Sequence, residues 1–258
     1  MTSMKLFYSP FQDFIHKTIV VAEEVGVWEQ IEEVPVYPRK EGYSIAALNP
    51  LAKVPTLALM DGTVLFCSQT VVEYLDSIST NGVRVYPAPG QARWDALTRL
   101  GLADTFFDIV TRIIHERLLA KPGEHIVEWH WPKIIRTLDR MEQDAARLEG
   151  FDIGQIATLQ ALTFFERQVT LTLPPPAPET FDWREGRPAL ALWFELAIQR
   201  PSVANHFNKP FTGDDSPDLC QAKVAEVLRA QGRETGNPVA PPDFVAPEGA
   251  AESGALKH

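Results

Sequence analysis

The chain of 258 residues has room for one large domain or two smaller ones, and enough length to bury a core of its own. Hydrophobic residues make up 45% and charged residues 22%, an ordinary globular balance, while the net charge of −10 argues against nonspecific binding to nucleic acid or anionic lipid. Two distant cysteines, Cys67 and Cys220, make no disulfide framework, no apolar run would span a bilayer, and the opening MTSMKLFYSP has no signal-peptide core, so a cytoplasmic chain with free thiols is expected.

In chain order, Lys5–Tyr8 reads as a short strand. Phe14–Val25 reads as a helix, with Ile15, Ile19 and Ala22 on one face and Gly26 to end it. Ile31–Val36 alternates like a second strand. Val54–Leu59 and Val64–Phe66 flank Asp61-Gly62, a strong hairpin turn. Ser68–Ile78 reads as a helix with Ser68 as its N-cap. The order β-α-β-(α)-β-β-α predicts a mixed sheet with helices packed on it. Residues 80–90, rich in Gly and Pro, form an expected linker. From 91 to 211 the pattern is helical, with candidates at Ala92–Leu119, Val127–Leu148, Ile153–Leu171 and Ala189–Gln199. Asp152 and Gln155 make a capping-box pair before the third, TLPPPAPETFDWREGRP (172–188) is a loop, and Pro201-Ser202 opens a last short helix. Residues 212–258 read as a Pro/Gly-rich acidic tail, partly docked, with a helical piece near Leu219–Ala230.

The turn YSPFQDFIHK (8–17) lies between a strand and a helix, a common place for an activated nucleophile or a phosphate, yet it has neither a cysteine nor a Gly-rich loop. Val54-Pro55 suits a cis peptide bond, and from the residues alone trans at a strand edge is equally open. Ser68 at a helix start can offer its hydroxyl and nearby N–H groups to an anion. Lys40 and Lys53 are cations in polar loops. Phe106, Phe107, Val110, Ile114 and His115 form a stripe at helical spacing, readable as core or as pocket. The six histidines show no metal-ligand spacing, and no metal is expected.

The stretch NPLAKVPTLALMDGTVLFCSQTVVEYLD (49–76) resembles the N-terminal domain of the glutathione S-transferase superfamily, with its N-P-x-x-K-V-P-x-L, D-G and helix-opening Ser. LADTFFDIVTRIIHERLL (102–119), KIIRTLDRME (133–142) and WREGRPALALWFELAIQRPSV (183–203) resemble the bacterial branch of the same superfamily. The resemblance implies α/β plus all-α architecture: a thioredoxin-like, glutathione-binding domain over 1–79 with a mixed four-stranded sheet, then an α-helical bundle over 91–211. It implies a cis Val54-Pro55 bond whose flanking N–H and C=O pair with the cysteinyl part of glutathione. Ser68, with Gln69 beside it, would meet the γ-glutamyl carboxylate, and Lys40 and Lys53 the glycyl carboxylate. The family's acidic residue before the serine is Cys67 here.

A similar bacterial pattern, G-S-x-T-S-P-F-V-R-K, aligns its activating serine with Gln12 and its proline with Asp13. The thiolate would then be held by Tyr8, by Ser9 in a shifted turn, or by the Gln12 amide. The helical stripe from Phe106 to His115 would line the electrophile pocket. The implied activity is a glutathione transferase-like enzyme acting on an apolar, aromatic electrophile by conjugation, dehalogenation or ether cleavage, in detoxification or aromatic catabolism. The alternative is a non-catalytic scaffold or partner subunit on the same fold. A homodimer is expected, with a heterodimer open.

Overall fold

The computed structural model describes residues 3–10, 16–37, 42–117, 123–173, 181–207 and 211–233. These residues divide into two units, one holding residues up to 86 together with 205–233, the other holding 87–204.

The first unit is built on a four-stranded sheet. Its strands are β1 (Met4–Tyr8), β2 (Ile31–Pro35), β3 (Thr56–Ala58) and β4 (Val64–Phe66), in the order β2-β1-β3-β4. β1 runs parallel to β2 through the crossover helix α1 (Lys17–Glu24) and antiparallel to β3, and β3–β4 is the hairpin expected at Asp61-Gly62. Pro35 is tolerated because β2 is an edge strand. Gly26, at φ +74, follows the end of α1 where the sequence puts a stop. The strand pattern Val54–Leu59 shrinks to three paired residues, with Val54 in a bend and its peptide to Pro55 cis.

Side chains alternate across this sheet. Phe7, Val34, Val36 and Ala58 lie on one face, in a cluster with Cys220, Val224, Val227 and Leu228 of α8 (Pro217–Ala230). Leu6 and Leu57 point the opposite way and are equally buried, and α2 (Ser68–Ser77) packs against both α1 and the β3–β4 hairpin. Part of what reads as a tail is therefore a covering layer of the sheet, entered through Ser216, whose hydroxyl accepts from Leu219 N at 3.2 Å. The expected linker also divides. Buried Asp76 accepts from Val85 N at 2.6 Å and pairs with Arg84 at 2.7 Å, which fixes residues 84–86 to the first unit.

The second unit contains α3 (Gln91–Arg117), α4 (Glu124–Ala145), α5 (Ile153–Thr172), α6 (Pro188–Ala197) and α7 (Pro201–Ala204). α3 and α5 pack along their length. Gly154 permits a close approach, since a Cβ there would lie 2.5 Å from Ala96 O. Asp152 caps α5 through Gln155 N at 3.0 Å and also pairs with Arg99 at 2.5 Å. Among the described residues, no helix is long and apolar enough to cross a membrane.

Candidate functional site

Strand pairing gathers the N-terminal candidates at one end of the sheet. Phe7 pairs with Thr56, and Thr56 with Phe66. Continuing the same register past these pairs brings the end of β1 (Tyr8, Ser9), the approach to β3 (Val54, Pro55) and the exit of β4 (Cys67, Ser68) to a common edge. β2 ends there too, where Val36 N donates to Tyr8 O at 2.8 Å.

The turn before β3 is shaped by one buried amide. Asn49 is 1% exposed; its Nδ2 donates to Lys53 O at 2.8 Å and to Thr56 Oγ1 at 3.0 Å, while its Oδ1 accepts from Leu51 N at 3.0 Å. Thr56, fully buried, donates its hydroxyl to Lys53 O at 2.9 Å. These bonds fold 49–56 into a loop that presents Val54 half-buried, with its peptide to Pro55 cis. Asn49 lies inside the N-P-x-x-K-V-P-x-L stretch, where the pattern alone assigns it no role. Its signal was an amide next to proline in a turn that must satisfy its own backbone.

At the exit of β4 the reading is corrected by one residue. Cys67, not Ser68, is the N-cap; it is exposed, makes no side-chain cap, and holds φ at +70. A non-glycine residue there carries local strain of about 1–3 kcal/mol, and the physical reason for the shift is that Cys67 makes the sharp turn. Ser68 is the first helical residue, half-buried, and Gln69 follows exposed. The first N–H groups of this ten-residue helix have no intrahelical acceptors and carry the positive end of its dipole.

The other candidates separate. Tyr8 is 1% exposed and donates its hydroxyl to Glu33 Oε2 at 2.5 Å, with the rings of His16 and Phe211 edge-on at 5.8 and 6.4 Å. Burial, then the Glu33 carboxylate, push its phenol far above the ordinary value, so its proton is committed to Glu33. Glu33 escaped the sequence reading because its partner arrives only through β1–β2 pairing. Ser9 differs: its hydroxyl is enclosed and meets no hydrogen-bond partner among the described residues. Lys53 is exposed, with its carbonyl bound into the Asn49 turn. Gln12 and Lys40 lie outside the described residues.

The helical stripe is in the second unit and is mostly core. Phe106 is 1% exposed and edge-on to Phe165 at 5.3 Å, and Val110 is fully buried. Both are core residues of this unit, and Phe106 packs on the α5 side of the helix. Phe107 stacks on Phe164 at 4.1 Å, Ile114 is buried, and His115 is exposed. No group of histidine, cysteine and carboxylate side chains that could hold a metal ion occurs among the described residues.

Comparison with known proteins bears on the family and the fold. A sequence model of the glutathione S-transferase N-terminal domain matches residues 13–78. The GST-like protein YibF of Escherichia coli (strain K12) is 28% identical over 155 residues, which is 57% of this chain and 69% of that protein. The crystal structure of a glutathione S-transferase from Methylobacillus flagellatus KT with GSH bound superposes with a TM-score of 0.70 at 28% identity, covering 80% of this chain and 99% of that one. A glutathione transferase family member from Pseudomonas fluorescens Pf-5 with bound glutathione gives 0.67 at 29% identity, covering 80% and 100%. Sheet order, the turn at Pro55, the helix at Ser68 and these relatives agree on one assignment: residues 13–78 match the glutathione S-transferase N-terminal domain, and the chain has the thioredoxin-like plus helical fold of that superfamily.

Proposed function

We propose that the protein is a glutathione-dependent transferase that delivers the glutathione sulfur to an apolar, aromatic electrophile. The observation that carries this reading is the Asn49-braced cis turn at Val54-Pro55, lying at the same sheet edge as the N-terminus of α2. By the family resemblance, the backbone N–H and C=O of Val54 would pair with the cysteinyl part of the peptide, and a carboxylate at Ser68 would meet helix N–H groups and a hydroxyl. Relatives with glutathione bound, at 28% and 29% identity, support the same ligand. Within this edge Ser9 is the thiolate donor, because its hydroxyl is unengaged among the described residues while that of Tyr8 is held by Glu33. A donated hydroxyl lowers the thiol pKa and raises the thiolate fraction that attacks the electrophile. Working units would be homodimers, as is the habit of the superfamily.

One observation favours a second reading, a glutathione-binding scaffold or partner subunit without thiolate activation: Cys67 stands where the family carries an acid. An ultraviolet difference titration of glutathione onto the protein between about pH 5 and 9 separates the two. Thiolate absorbance appearing below the free-thiol range supports the transferase. Saturable binding without it supports the scaffold, and no binding overturns both.

A further inference from the structure

We infer that α8, the helix formed by the C-terminal segment, is a positioning element of the glutathione cradle, holding the turn at Val54-Pro55 from both sides; this rests on the proposed glutathione-binding reading. Upstream of the turn, Gln221 Nε2 donates to Gly42 O at 3.0 Å and to Ser44 O at 3.1 Å. Arg233 Nη1 donates to Ala47 O at 3.1 Å, two residues before Asn49. Ile45 and Leu48 are buried in one cluster with Cys220, Val224, Val227 and Leu228. Downstream, Gln231 Nε2 donates to Gly62 O at 2.8 Å, in the turn that closes the β3–β4 hairpin. The segment entering α8 adds two further ties: Tyr37 donates to Asp215 Oδ2 at 2.7 Å, and Tyr43 donates to Asp215 O.

Two glycines show how closely α8 approaches. A Cβ on Gly42 would lie 2.8 Å from Pro217 Cβ, at the start of the helix, and one on Gly62 would lie 3.2 Å from the Ala230 carbonyl carbon, at its end. Both hold positive φ, at +85 and +86. Each end of α8 therefore rests on a glycine of the segment it braces. Between those glycines run residues 43–61, which contain the Asn49 loop, the cis peptide and β3. The Asn49 bonds give the turn its local shape; α8 fixes where that shape sits on the sheet.

The test is the variant Gln221→Ala/Gln231→Ala/Arg233→Ala, which removes the side-chain ties from a helix still held by its apolar face. A deletion from residue 211 would instead bare Phe7, Val34 and Val36. If the cradle is correctly placed only a tenth of the time without these ties, the glutathione Kd measured by calorimetry rises about tenfold. The pKa of the bound thiol at saturating glutathione stays at the wild-type value, because the sulfur's own surroundings are untouched. Amide exchange over 42–48 and 52–59 speeds up about tenfold while α1 and α2 exchange as before. An unchanged Kd alongside faster exchange at 42–48 overturns the inference. Unchanged exchange overturns it as well. A wild-type chain that binds no glutathione overturns the proposed function, and the inference with it.

Discussion

Tyr8 and Ser9 are neighbours at the end of β1 with opposite electrostatic situations. Tyr8 commits its proton to Glu33 inside the protein, and Ser9 donates to no partner among the described residues. Tyr8→Phe should therefore lower stability, by about 1–3 kcal/mol in a urea melt, since it strands a carboxylate oxygen that had a donor. It should leave the thiol pKa of bound glutathione where it was. Ser9→Ala should do the reverse: stability nearly unchanged, the bound thiol pKa raised by about 1–2 units, and turnover down roughly tenfold to hundredfold for one lost donor to developing charge. Both effects falling on Tyr8→Phe would mean that the phenol, not the serine, serves the sulfur. The two cysteines separate in the same manner. Cys67 is exposed, whereas burial pushes the Cys220 thiol up to about 11. Titration with a chromogenic disulfide at neutral pH should count one fast thiol in the native protein and two in denaturant. Two fast thiols in the native protein would show that α8 leaves the sheet readily.

The turn from Asn49 to Thr56 works as a unit because a single amide closes it. Asn49→Ala leaves the Lys53 carbonyl, the Thr56 hydroxyl and the Leu51 N–H each short of a partner. With some of that loss recovered by Thr56, the cost should be about 2–4 kcal/mol in chemical denaturation. Glutathione affinity should fall too, whereas an equally destabilising change in α5 should spare it; equal affinity losses from both would reduce the turn to a stability element. Elements of this kind differ in how far the sequence reveals them. The Asp61-Gly62 hairpin, the stop at Gly26 and the Asp152 cap were legible because turn and cap chemistry act within a few residues. The cis bond at Pro55 was open from the residues alone, and the family resemblance decided it. Ser68 was misread as the N-cap because a cysteine willing to hold φ at +70 leaves no local sign. Phe106 and Val110 read as core or pocket alike, since helical spacing does not say which partner meets the face; for Phe106 one partner is Phe165 of α5. Least legible was the docking of α8, whose apolar face meets Val34 and Ile45 across more than 170 residues of chain.

That docking makes the first unit depend on both ends of the described chain. Phe7, Val34, Val36 and Ala58 stay uncovered until Val224, Val227 and Leu228 have been made, so the sheet is completed only after the helices between them have left the ribosome. Around this apolar seam lies a ring of charge: Lys5 pairs with Glu226 at 2.9 Å and Glu32 at 3.7 Å, and Lys223 with Glu32 at 2.5 Å and Glu226 at 3.3 Å. The seam should therefore have a pH window, and its signs can be worked out group by group. Hydrogen bonding to Lys5, then to Lys223, holds the Glu226 carboxyl below its ordinary 4.5. Its contribution is present above 4.5 and is lost as pH falls through the lowered folded value. Glu32 raises the Lys223 ammonium above its ordinary 10.5, and burial takes the Cys220 thiol from 9.0 to about 11. Their contributions are complete below the unfolded values and are lost as pH rises through the folded ones. The urea midpoint of the first unit, followed by exchange in β1 and β3, should be flat from about pH 5 to 9 and decline on both sides. Glu226→Gln should lower the plateau and shallow the acid limb, because the variant has no carboxylate there to protonate, while leaving the alkaline limb in place. An acid limb identical in Glu226→Gln and wild type would assign the acid sensitivity to carboxylates elsewhere and take Glu226 out of the pH response of this seam.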